Sequence, residues 1–405
     1  MTKLRALGMT CGIGSMLIGA RAAGFSVVGN IEWRRYYHTG TFEKNFPGAF
    51  MKLRRNLLTS AELKSIHGID LVMGHPECGN FSNLNTSKRR SELKKMAGDI
   101  PMFIDGVADI RPRFFVMDDL PGSLAAFPIE EYNRRLPDYD LYWEWISNYN
   151  YGNTQLYRRR FFLVGSLRTE NFVFRAGEFD HNGKLIDVIK DLPKKDVVGI
   201  NHTHKKPSDI VFHGWRDWHL GIKTKDKMIT YGQLGEHFGK FGPGSCIEYT
   251  NLKGEVHRRP GYCKIKLNHF SPTMTGGGSA LHNHFREDTL LPLTMRERAR
   301  IQGVPDDFIF LPLDINDYKS ESAVYKQIGK FMPVQFCEYV SKQIMAHMKG
   351  KEFKKATDRR IIKANPDIDE AKQKYCSSVG YSNQKGACAA CWMAETCQIR
   401  IGKRP

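Results

Sequence analysis

Residues 4–32 constrain the fold more tightly than any other stretch. A short apolar strand, "LRALGMT", runs through a glycine turn, "CGIG", into a helical pattern, "GSMLIGARAAG", and then into a second strand, "FSVVGNIE". A strand that returns to the sheet through a helix lies parallel to its predecessor, and a parallel sheet needs both faces covered. The alternation continues. "TSAELKSI" reads as a helix with Thr59 and Glu62 at capping-box spacing. "IDLVM" is a short buried strand, "PMFIDGVADI" a helix, and "RFFVM" and "RRFFLVGSL" further strands. The pattern predicts an α/β chain, a Rossmann-like doubly wound and mostly parallel sheet. A last helical run, "PVQFCEYVSKQIMAHM", is expected to return to it.

The turn between the first strand and helix has the make-up of a nucleotide site. Glycines let backbone N–H groups approach a ligand at a helix N-terminus. Glu32 closes the second strand 20 residues after Gly12, where an acid would accept hydrogen bonds from ribose hydroxyls. On its own the G-x-G turn fits a tight strand–helix connection equally well.

At 405 residues the chain is long enough for two domains. Its formal net charge of +18 points to a polyanionic partner, most simply nucleic acid. No run approaches the roughly 20 apolar residues of a bilayer span, and the start has no secretion signal. The expectation is a cytoplasmic protein with no membrane partner, whose nine cysteines are reduced and available for catalysis or metal binding.

Seven ordered blocks carry a family resemblance. "TCGIGSMLIGARAAGFSVVGNIEW", "GHPECGNFS", "FFVMDDLPGSL", "YGNTQLYRRRFFLVG", "SPTMTG", "LTMRERARIQGVPDDF" and "YKQIGKFMP" resemble, in order, the blocks of DNA (cytosine-5) methyltransferases. The resemblance spans about residues 4–348 and is weak only over 166–268. It implies S-adenosylmethionine as cofactor and double-stranded DNA as partner, for a monomer. Cofactor contacts would fall to Thr10, Cys11, Gly12, Ile13, Gly14, Glu32, Trp33, Glu77, Lys330 and Phe331. Cys78 would be the nucleophile that adds to cytosine C6, activating C5 for methylation. Asp118 stands where the family has Glu and would protonate N3. Arg160 would reach the O2 edge of the base and support Cys78, and Arg158 a phosphate. Because C5 lies inside the stack, the base must be flipped out. The resemblance divides the chain into a catalytic domain over 1–165, completed by 325–350, a target-recognition domain over 166–324 and a basic tail over 351–405. Candidate base readers lie in "NHTHKKPSDIVFHGWRDWHLG" and "KFGPGSCIEYTNLKG".

Five departures cluster around the expected site. Thr10 replaces a Phe, Glu77 a Pro, Gly79 a Gln, Asp118-Asp119 a Glu-Asn pair, and Lys330-Phe331 an Asn-Ser pair. Lys330 raises the alternative of a carboxylated donor, carboxy-S-adenosylmethionine, giving 5-carboxymethylcytosine, unless Glu77 or Asp119 neutralises it. A non-catalytic DNA-binding relative is a second alternative. In the tail, Cys376, Cys388, Cys391 and Cys397 have the composition of a zinc or 4Fe–4S site.

Overall fold

The computed structural model describes residues 3–32, 39–53, 59–77, 81, 99–155, 158–177, 183–192, 246–250, 256–260, 263–271, 273–274, 284–286, 288, 293–311, 318–353, 361–362 and 364–365. Trp33, Cys78, the segment 201–221 and the four tail cysteines lie outside them.

In chain order the elements begin β1 (Arg5–Met9), α1 (Ser15–Ala22), β2 (Ser26–Glu32), α2 (Thr39–Asn45), β3 (Phe50–Leu53), α3 (Ser60–Lys64) and β4 (Leu71–Gly74). Then come α4 (Asp99–Ile110), β5 (Phe114–Asp119), α5 (Ser123–Ala126), α6 (Ile129–Arg135), β6 (Tyr139–Ser147), β7 (Arg159–Leu167) and β8 (Phe174–Arg175). The remainder are α7 (Leu185–Ile189), β9 (Cys246–Thr250), β10 (Val256–Pro260), β11 (Cys263–Ile265), β12 (His284–Arg286), α8 (Met295–Ile301), α9 (Tyr318–Gly329), α10 (Val334–Met348) and β13 (Ile361–Ile362).

Two compact units divide the chain. One comprises Met1–Tyr151, Arg159–Asp180 and Val334–Pro405, the other Gly152–Arg158 and His181–Pro333. In the first unit, the described residues form a seven-stranded sheet of order β3-β2-β1-β4-β5-β7-β6. Every neighbour pair from β3 to β5 is parallel, and β7 runs antiparallel to both β5 and β6. Every residue of β4 and β5 is buried, as expected of central strands covered on both faces. The cover includes α4, which buries Ile100, Phe103, Ile104 and Val107. Its Pro101 sits in the first turn, where a missing N–H breaks no helical hydrogen bond. The expected capping box is present: Thr59 Oγ1 accepts from the Glu62 N–H, and Glu62 accepts from the Thr59 N–H. The final helix does return, with α10 packed on α1 so closely that a Cβ on Gly19 would lie 2.5 Å from the Glu338 backbone nitrogen.

The second unit has its own smaller core, which includes Leu185, Ile189, Ile265, Leu267, Leu293 and Ile301. A capping box, Thr294 with Glu297, starts α8. Strand β6, with its sequence "YDLYWEWIS", is an element the sequence pattern did not reveal. It is an aromatic run buried along almost its whole length, so it shows no alternation to read.

Candidate active site

The turn from β1 to α1 is built from left-handed residues: Thr10 (φ 58), Gly12 (φ 60) and Gly14 (φ 93). At Gly12 and Gly14 the missing Cβ makes this inexpensive. The curl brings the turn back onto β2. Glu32, 2% exposed, accepts a hydrogen bond from the Gly12 N–H at 2.9 Å. Asn30 Nδ2 donates to the Gly12 carbonyl at 2.7 Å, and the Thr10 N–H to the Ile31 carbonyl at 2.8 Å. The Asn30 Oδ1 is buried without a hydrogen-bond partner among the described residues. Ile13 and Cys11 face the core. The Cys11 thiol donates to the Met73 carbonyl at 2.9 Å. Burial, reinforced by the charges of Glu32 and Asp118, holds it protonated. A carboxylate fixed against a glycine turn, a helix N-terminus and an unmet amide oxygen together fit a nucleoside cofactor.

The second cluster joins three neighbouring strands. Asp118 lies near the end of β5, opposite Phe162 of β7. Arg160 is two residues from Phe162, so strand alternation puts it on the same face as Asp118, one diagonal step away. Its Nε donates to Asp118 Oδ2 at 2.6 Å, and its Nη2 lies 2.5 Å from the same oxygen. His75, just past the end of β4, is the third member. Its Nδ1 stands 2.9 Å from Asp118 Oδ1 and 2.9 Å from Arg160 Nη2. Asp118 is 0% exposed and Arg160 4%, and the side chain of His75 is 8% exposed. His75 Nδ1 comes within 2.9 Å of Oδ1 without hydrogen-bond alignment and lies 3.4 Å from the Asp118 backbone carbonyl oxygen, so Oδ1 has no aligned donor among the described residues. Burial pushes the Asp118 carboxyl up, but the Arg160 charge and then His75 outweigh it and bring it down to about 2. At neutral pH Asp118 is therefore a carboxylate.

Arg158 belongs to the second unit and is spent differently. It is 6% exposed, with Nη1 donating to the Met274 carbonyl and Nη2 to the Phe331 carbonyl, both at 2.5 Å. Gln155, from the same motif, accepts from the Met274 N–H and donates to Gln302 Oε1, each at 2.8 Å. Phe331 is buried against Phe308 and Phe310. Lys330 follows the last turn of α9, its N–H directed at the Lys326 and Gln327 carbonyls. A cation is favourable at a helix C-terminus. Glu77 is half-buried on the loop after β4.

His75 is the member of the site that the sequence reading missed. Its signal was available: it is a titratable group near neutrality, three residues before the candidate nucleophile in "GHPEC". Among the described residues no group of three or more His, Cys, Asp or Glu side chains is arranged to hold a metal. No described helix is long and apolar enough to cross a membrane.

A seven-stranded sheet with one antiparallel strand, a glycine turn with its acid and a buried Asp–Arg pair define an α/β protein with a Rossmann-like, doubly wound and mostly parallel sheet. The sequence pattern of the C-5 cytosine-specific DNA methylases matches residues 4–346, and the chain belongs to that family. Among its relatives is the type II methyltransferase M.MthTI of Methanothermobacter thermautotrophicus, 23% identical over 84% of this chain and 96% of its own. Another is M.FnuDI of Fusobacterium nucleatum, also 23% identical, over 86% of this chain and 96% of its own. The fold is shared with a protein assigned as a DNA modification methyltransferase of an E. coli prophage. That similarity has a TM-score of 0.58 at 19% identity and covers 86% of this chain and all of that one. The chain is thus a DNA cytosine-5 methyltransferase that uses S-adenosylmethionine.

Proposed function

We propose that the chain methylates C5 of a cytosine flipped out of duplex DNA, through a covalent bond between Cys78 and C6. The observation that carries this reading is the Asp118 carboxylate, fully buried, fixed through Oδ2 by Arg160, with Oδ1 left without an aligned donor. A buried carboxylate oxygen in that state is costly unless a ligand meets it. A cytosine presenting N3 and the N4 amine is such a ligand, whereas a base still stacked in the duplex cannot reach a buried group.

Each residue then has a distinct task. Cys78 adds to C6, and Asp118 carries the proton that N3 takes up. Arg160 orients Asp118. Arg158 acts as a positioning residue, holding the segments around Met274 and Phe331 rather than touching a phosphate. Glu32 and the turn around Gly12 hold the nucleoside portion of S-adenosylmethionine, which supplies the methyl group. The helix-end position of Lys330 accounts for its charge without a carboxylated donor, so plain S-adenosylmethionine is the donor we favour. The target-recognition domain, expected over 166–324, would read the target sequence from the major groove.

The test is incubation with unmethylated DNA and S-adenosylmethionine, followed by digestion and mass spectrometry of the nucleosides. The wild type should give 5-methylcytosine. Cys78→Ser should give none while still binding DNA, and should not be trapped on DNA containing 5-fluorocytosine. Near wild-type methylation by Cys78→Ser would overturn the covalent mechanism, and 5-carboxymethylcytosine in place of 5-methylcytosine would overturn the donor.

A further inference from the structure

A proton donor for N3 is needed, yet Asp118 sits beside Arg160 as a carboxylate. The arrangement of His75 resolves this. Its Nδ1 stands at one distance, 2.9 Å, from an acceptor, Asp118 Oδ1, and from a donor, Arg160 Nη2. When Nδ1 carries a proton, it faces the carboxylate. When it does not, its lone pair can accept from Arg160. Both protonation states of the ring thus find a partner through the same atom, which also lies 3.4 Å from the Asp118 backbone carbonyl oxygen.

We propose that His75 supplies the proton that Asp118 passes to the target base. This rests on the reading of Asp118 as the group that meets N3. A small rotation of the imidazole aligns Nδ1–H with Oδ1, and because the Asp118 carboxyl is held low the proton crosses only as N3 gains basicity, not beforehand. As the Cys78 thiolate shares an electron pair with C6, the C5–C6 π pair becomes a C4–C5 double bond. The former C4–N3 π pair moves onto N3, which takes the proton from Asp118. Asp118 is again a carboxylate, and the neutral ring accepts from Arg160. C5 then takes the methyl group through the C4–C5 pair as the donor S–CH3 bond breaks, and the N3 lone pair leaves C4=N3–H as an iminium, which returns its proton through Asp118 to His75. A water molecule removes the C5 proton, the C5–H pair re-forms C5=C6, and the Cys78 thiolate leaves, so neither residue is consumed. Among the described residues, the charged groups facing the imidazole include Asp118 from β5 and Arg160 from β7, with Glu77 further along its own loop. The thiols of Cys11 and of Cys337, on α10, lie in the Asp118 field and are kept neutral by burial.

The experiment measures single-turnover methyl transfer from S-adenosylmethionine to PCR-amplified, unmethylated genomic DNA between pH 5.5 and 9. Its proteins are wild type, His75→Asn, His75→Gln and Asp118→Asn. Asn places an amide near the Nδ1 position, so it keeps a hydrogen bond to Asp118 or Arg160 but cannot titrate. Expected is a wild-type rate that falls on the alkaline side as the imidazolium is lost, with that limb absent in His75→Asn. The His75→Asn rate should be at least tenfold lower at pH 6.5, with binding of DNA and S-adenosylmethionine unchanged. His75→Gln should show the same flat profile, which guards against a folding defect peculiar to one variant. A His75→Asn rate equal to wild type, or a uniform loss that keeps the alkaline limb, would overturn the relay. If Asp118→Asn is inactive while His75→Asn behaves as wild type, only the relay fails. If Asp118→Asn retains the wild-type rate, the reading of Asp118 fails and the relay with it.

Discussion

Asp118 and Arg160 form a buried ion pair, and such pairs matter most when one partner is removed. An uncompensated charge in the interior costs roughly 3–5 kcal/mol. Arg160→Met should therefore lower stability in urea unfolding by about that amount, and Asp118→Asn in the same protein should restore part of the loss. A single variant without effect would mean that water reaches the pair. The acid side has a definite sign. The folded carboxyl lies below its ordinary value near 3.9, so its contribution is complete above about pH 4 and is lost as pH falls towards about 2. The stability difference between wild type and Asp118→Asn should shrink across that window and remain level between pH 5 and 7. Of this cluster, Asp118 and Arg160 were legible as motif positions in the sequence. Their mutual contact was not, because it depends on which strands are neighbours. His75 escaped for the same reason: residues 75, 118 and 160 meet only once β4, β5 and β7 are assembled.

Helix α1 shows how an element can be read correctly and its packing missed. The sequence gives its position through the glycine turn before it. It does not say that Gly19 lies against the backbone of α10, where an added Cβ would come within 2.5 Å of the Glu338 nitrogen and 2.6 Å of the Cys337 carbonyl carbon. Gly19→Ala gains roughly 1 kcal/mol of helix propensity. Overpacking against backbone that cannot turn aside costs about 1–3 kcal/mol. The net expectation is a lower melting temperature, and a rise would mean that α10 can withdraw freely. The parallel strands β1, β2, β4 and β5 were legible because they are short apolar runs punctuated by helices. Strand β6 was not, since its nine residues are nearly all buried and take their identity from pairing with β7.

The whole molecule carries a net charge of +18 into an encounter with DNA. Each phosphate it neutralises releases condensed counterions, so affinity should fall steeply with salt. With six or more such contacts, raising salt from 50 to 200 mM should weaken binding to a duplex by roughly a thousandfold. Fluorescence anisotropy would measure this, and a nearly flat response would mean that the basic residues face elsewhere. The antiparallel placement of β7 has a consequence on another timescale. Asp118 and Arg160 share a face by strand parity, with Phe162 opposite Asp118. Loss or gain of a single codon inside β7 would turn Arg160 to the far face and leave every other catalytic letter of the gene intact. Over a lineage, length changes in this part of the gene should therefore be purged from β7 and from the strands on either side of it.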